Sequence, residues 1–439
     1  VPNATFNGPS RPATPTVNGL ASLGNPNFVH HYFVNATPAM MDVDFARTWD
    51  GTAIGTGAPN WRTVLIGGPG KGGRSFYAID NTDPACSIAE AAAAARVLWE
   101  FTAPQMGFTF GEPAIVKTRK YGWTVILPSG YNTPDGRGYL FLLHPQTGQL
   151  LEPPISTGVG SPTNDAGLAH INAYVLDFTD GYADAVYGGD LLGNLWRFDL
   201  TGTPAAYPAP QLLATLTNAA GVPQPVTSRP VVELHPKTRE RVVLVGTGRL
   251  LDSTDIVSSQ EQTFYAIKDG NQVRFNRSAD LPTGITFPIT RNQLVLDSDL
   301  TIGFTATPTA PMGWYTDLGL GPTNVGWRVV SDPTTFQGIV AFAPTLPSVT
   351  DACAPSGSSR VYAVDFATGI SRLVDTNNAT LQFTTAGQGV VTDLRFLSVG
   401  GKARLIAGTD LGEVVRIRGE FGSNLGLRRF NWREVDLGN

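Results

Sequence analysis

Asp177, Asp180 and Asp184 stand around Gly181 in the segment LDFTDGYADAVY at 176–187, at spacings that suit a calcium loop. Calcium takes six to eight oxygen ligands from such a loop, and a glycine permits its sharp turn. With Asp180 and Gly181 at loop positions 5 and 6, Tyr182 offers its carbonyl at position 7 and Asp184 falls at position 9. Positions 1 and 3 then fall on Leu176 and Phe178, which carry no side-chain oxygen. A loop one residue shorter brings Asp177 and Thr179 into those places. The candidate metal set is therefore Asp177, Thr179, Asp180, Tyr182 and Asp184, with calcium as the cofactor. Three carboxylates this close repel one another unless a cation neutralises them. The same residues also fit an Asp/Gly-rich β-turn between two strands.

Other polar clusters read as structure. Asn132, Pro134, Asp135 and Gly136 make a hairpin turn, with Asn164 and Asp165 as a second oxygen-rich pair. The GGPGKGG loop at 67–73 lacks the Gly-Lys-Ser/Thr ending of a phosphate-binding loop and precedes a strand-like run. His30 and His31 open an aromatic run without a third ligand at metal spacing. His144, His170 and His235 are isolated, and no Gly-x-Ser-x-Gly elbow accompanies the serines. No polar cluster is expected at the centre of the fold.

The elements that must position the loop repeat along the chain. An apolar run, a glycine-bearing turn and an aromatic-rich run recur at 62–80, 123–144, 183–199, 241–269 and 338–365, and in degenerate form at 403–418. Each copy is a hairpin signal. Shorter apolar runs precede most of them, at 38–43, 113–117, 173–176, 230–234 and 390–394. A meander that cannot bury its apolar face alone and repeats along the chain is the unit of a β-propeller. The expected fold is all-β, a distorted seven-bladed propeller of antiparallel meander blades, with six repeats readable. Segment 287–324 reads as an irregular seventh blade or an insertion, and the alanine-rich stretch 88–98 as one short decorating helix. Residues 1–27 read as an extended strap and 28–439 as a single propeller domain. The aromatics that close each phrase, from Phe76 and Tyr77 to Tyr362, are expected in the seams between blades.

Composition narrows the function. The 439 residues carry a net charge of −5, with no basic footprint for nucleic acid. Charged residues make up 15% against about 25% in an average soluble domain, which suits an extracellular β protein. Two cysteines, Cys86 and Cys353, make no disulfide framework, though a single bridge is open in an oxidising compartment. No apolar run is long enough to span a membrane. The chain starts at Val1 without a signal peptide, as a C-terminal fragment of a longer exported protein would.

Together the phrases resemble the C-terminal domain of the PilY-type tip-associated adhesins of bacterial type IV pili. HHYFVNATPAM, WRTVLIGGPGKGGRSFYAIDNTDP, TVILPSGYN, VLVGTGRLLDSTD and, most specifically, DAVYGGDLLGNLWRFDL carry the resemblance. It implies a seven-bladed propeller without enzymatic activity, exported to the outer membrane, cell surface or pilus tip of a Gram-negative bacterium. Pilins and other pilus assembly proteins are the implied partners, with host or abiotic surfaces. Pilus biogenesis, extension, twitching motility and attachment are the implied roles. In that family the loop before the Tyr-Ala-Gly-Asp-Leu phrase binds calcium and regulates extension against retraction. Here Asp180, Gly181, Tyr182 and Asp184 match it, and Asp177 and Thr179 match across a one-residue gap. Two other classes stand beside this reading. A quinoprotein dehydrogenase would need a quinone site, and many carry a Cys-Cys pair that is absent here. A carbohydrate-binding lectin propeller would need surface aromatics, for which Trp314, Tyr315 and Trp327 are the candidates.

Overall fold

The computed structural model describes residues 32–83, 90–177, 179–319, 325–348, 356–387, 389–399 and 401–422. The expected strap, His30, His31, Cys86 and Cys353 lie outside them. Each recurring phrase folds as an antiparallel hairpin. In the second, Gly122–Pro128 pairs with Tyr139–Leu143; in the third, Ala183–Gly189 pairs with Asn194–Asp199. The five preceding short runs each add a strand to the hairpin that follows, as Ala114–Thr118 and Ile171–Val175 do. The strands form four-stranded sheets over the first three repeats, a five-stranded sheet at the fourth, a six-stranded one at the fifth and a three-stranded one at the sixth.

The first strands of successive sheets pack side by side. Ala39–Asp44 meets Ala114–Thr118, which meets Ile171–Val175, and the series continues through Val231–Leu234 and Thr334–Phe336 to Val391–Val399. Apolar side chains fill the seam between each consecutive pair of sheets. Because a strand's side chains alternate between faces, one strand feeds two seams. Val125 and Leu127 enter the seam with the first sheet, whereas Ile126 enters the seam with the third. Burial on both faces explains why these strands read as unbroken apolar runs instead of alternating ones.

Three expectations change. Two strands within segment 287–324 complete the fourth sheet: Gly313–Asp317 pairs with Thr263–Asn271, and Val295–Leu296 adds in parallel at the edge. Among the described residues the helix covers Glu90–Ala94, and Val97–Phe101 is the last strand of the first sheet. Trp314, Tyr315 and Trp327 are 1%, 9% and 7% exposed, so they fill the core and offer no lectin platform. Most phrase-closing aromatics are buried as expected, Phe76, Phe141, Phe198 and Phe264 almost fully, while Tyr77 is half-buried.

Candidate metal centre

The loop bearing the candidate ligands joins Ile171–Val175 to Ala183–Gly189. Its turn is built from its own side chains. The Asp177 carboxylate accepts hydrogen bonds from the Thr179 backbone N–H (2.9 Å) and hydroxyl (2.6 Å). The Asp177 carbonyl accepts from the N–H groups of Asp180 and Gly181, and Gly181 takes φ +67°, where glycine meets no steric penalty. One Asp180 oxygen accepts from the Tyr182 N–H at 2.9 Å. Asp184, at the start of the next strand and buried, accepts from the Leu176 N–H at 2.7 Å and so clamps the two ends of the loop together.

A cation does reach these carboxylates, and it comes from the neighbouring sheet. Arg119 sits in the turn between Ala114–Thr118 and Gly122–Pro128. Its Nη2 donates to Asp180 Oδ2 at 2.5 Å, and its Nε lies 3.9 Å from Asp184 Oδ1. The Tyr182 ring lies 5.0 Å from the Arg119 guanidinium and 5.2 Å from Lys117 Nζ, and the backbones of Lys117 and Tyr182 bridge directly. Charge and burial then pull the carboxyls apart. The Tyr182 N–H, and after it Arg119, hold Asp180 below the usual carboxylate range. Burial pushes Asp184 up, opposed by the Leu176 N–H and by Arg119.

The structure therefore brings Asp180, Tyr182 and Asp184 together around Arg119, while Asp177 and Thr179 bond to each other. Among the described residues no group of three or more acidic, cysteine or histidine side chains is placed to hold a metal ion, and Asp177 Oδ1, both Asp180 oxygens and Asp184 Oδ2 already accept hydrogen bonds from Thr179, Tyr182, Arg119 and Leu176. The sequence reading missed Arg119, which is 61 positions from Asp180. The available signal was the basic turn Lys117, Arg119, Lys120 in a chain with few charges.

A second polar cluster was not expected. Residues at or just before the first strands of three sheets meet where Arg229 lies 3.3 Å from both Glu112 and Asp332. Each of the three precedes a proline. Their side chains remain 38–40% exposed, and they link the start of the fourth sheet to those of the second and the fifth. His144 and His235 cap turns, each ring Nδ1 accepting two backbone N–H groups.

Sheets of antiparallel strands, packed through their first strands and sealed by apolar seams, define a β-propeller. The sequence model of the PilY1 β-propeller domain matches residues 16–286, and the chain belongs to that family. It is similar to a Type IV pilus biogenesis factor PilY1 homolog of Xylella fastidiosa, 33% identical over 82% of this chain and 24% of the relative. It is also 27% identical to Type IV pilus biogenesis factor PilY1 of Pseudomonas aeruginosa, over 89% of this chain and 35% of that protein. The chain thus spans a quarter to a third of these relatives' lengths. The solved C-terminal domain of Pseudomonas aeruginosa PilY1 shares its fold, with a TM-score of 0.66 at 24% identity over 88% of this chain and 84% of the other.

Proposed function

We propose that this chain is the propeller module of a type IV pilus biogenesis factor, exported to the cell surface or pilus tip of a Gram-negative bacterium. It acts without catalysis, through contacts with pilins and assembly proteins, in pilus extension, twitching motility and attachment. The observation that carries this reading is the 33% identity, over 82% of the chain, to a relative named as a pilus biogenesis factor. The propeller supports it physically, since sheets sealed on both faces leave their connecting loops to carry recognition. The test is deletion of the gene in its host, followed by complementation with the intact gene or with one lacking this module. Loss of sheared surface pili and of twitching, restored only by the intact gene, is expected. Normal piliation in the deletion strain would sink the proposal.

A further inference from the structure

We propose that the Arg119 guanidinium is the resident cation of the 176–184 loop, standing where the family resemblance puts calcium, so that the loop is ordered without metal. Its consequence for pilus regulation rests on the function proposed above; the local claim does not.

Three acidic side chains, Asp177, Asp180 and Asp184, crowd one short loop and need a counter-charge. A guanidinium is satisfied by two carboxylates in its plane, whereas calcium asks for six to eight oxygens. A loop one residue short of the family pattern can meet the first demand more readily than the second. Arg119 meets Asp180 at 2.5 Å and approaches Asp184 at 3.9 Å. The Tyr182 ring beside the guanidinium and Lys117 adds a cation–π contact that holds both cations over the loop. The carboxylates pass this hold to the backbone, because their remaining oxygens accept from Tyr182 N–H and Leu176 N–H. Removing Arg119 therefore loosens amides that Arg119 does not touch.

Those amides supply the readout. Hydrogen exchange of peptides covering 174–186 is measured on the purified protein in excess chelator and in millimolar calcium chloride. The wild type is expected to exchange equally in both. Arg119→Gln is expected to exchange about three- to fivefold faster in chelator, the size of a partly exposed ion pair. Should that variant fail to fold, Asp180→Asn keeps the acceptor for Tyr182 N–H, removes the charge that Arg119 meets, and is expected to show the same acceleration. Slowing of wild-type exchange by calcium, or unchanged exchange in the variant, would overturn the proposal. Normal pili in a deletion strain would sink the pilus reading and leave these exchange rates untouched.

Discussion

Asp180 and Asp297 carry the same side chain in opposite settings. At Asp180 the Tyr182 N–H and then Arg119 stabilise the charged form, so its carboxyl stays below the usual range. A lowered carboxyl contributes stability above its unfolded value and loses it as pH falls through the folded one. Asp297 is 2% exposed, and its Oδ2 has no hydrogen-bond partner among the described residues. Burial pushes its carboxyl up to about 6. Here the sign reverses: the folded state holds an extra proton, so the contribution is full below the unfolded value of 3.8 and is lost as pH rises through about 6. At neutral pH Asp297→Asn should therefore stabilise the protein by about 1–3 kcal/mol. Urea unfolding at pH 5 and pH 7.5 checks this, with a shallower pH dependence expected in the variant. An unchanged pH dependence would mean that Asp297 does not titrate in this window. Sequence spacing names the acidic member of such a pair, as it did for Asp177, Asp180 and Asp184. It is silent on Arg119, which a different sheet delivers.

At the scale of elements, the paired runs were legible because burial on both faces leaves an unmistakable apolar signal. All six phrases became hairpins, and the five short runs before them became first strands. Local propensity misled where tertiary contacts outweighed it. The helical pattern at 88–98 runs into Val97–Phe101, yet Trp99 is 7% exposed and donates its indole N–H to the Pro145 carbonyl at 2.9 Å. That anchor, with the pairing to Phe76–Asp80, draws the segment into the first sheet. The fifth repeat's first strand escaped notice because it is split into Arg328–Val329 and Thr334–Phe336. Connections hold a similar hidden constraint. Gly111 and Gly158 both have positive φ, +90° and +73°. A Cβ on Gly111 would lie 1.8 Å from the Ala169 carbonyl oxygen, whereas one on Gly158 meets nothing within 4 Å. Gly158→Ala should cost about 1 kcal/mol, the backbone penalty alone. Gly111→Ala should cost about 3 kcal/mol or more, because backbone must move. Equal losses in chemical denaturation would mean that the close approach to Ala169 is not a constraint.

The whole molecule is a series of sheets coupled through seams, and the coupling has two chemistries. Between the fourth and fifth sheets it is aromatic: Phe264 stacks on Phe342 at 3.7 Å with rings 4° apart. Between the third and fourth it includes a buried charge. Asp269, fully buried, accepts from the Tyr187 hydroxyl at 2.7 Å and pairs with the Arg197 guanidinium. Arg197 also donates to the Asn276 carbonyl at 2.8 Å, and Arg241 donates to the Asp269 carbonyl at 3.1 Å. Neither partner is visible as such in the sequence, where Arg197 and Asp269 sit 72 positions apart. Breaking a buried pair leaves a charge without a partner, so Asp269→Ala should cost about 3–5 kcal/mol. Tyr187→Phe removes one hydrogen bond from the same carboxylate and should cost about 1 kcal/mol. The double replacement Arg197→Met/Asp269→Leu removes both charges and fills the seam with apolar atoms, so it should be more stable than Asp269→Ala alone. Equilibrium unfolding of the three variants separates a seam held by the ion pair from one held by packing. If Asp269→Ala costs no more than Tyr187→Phe, the apolar side chains around Tyr187 and Tyr265 hold these sheets together by themselves.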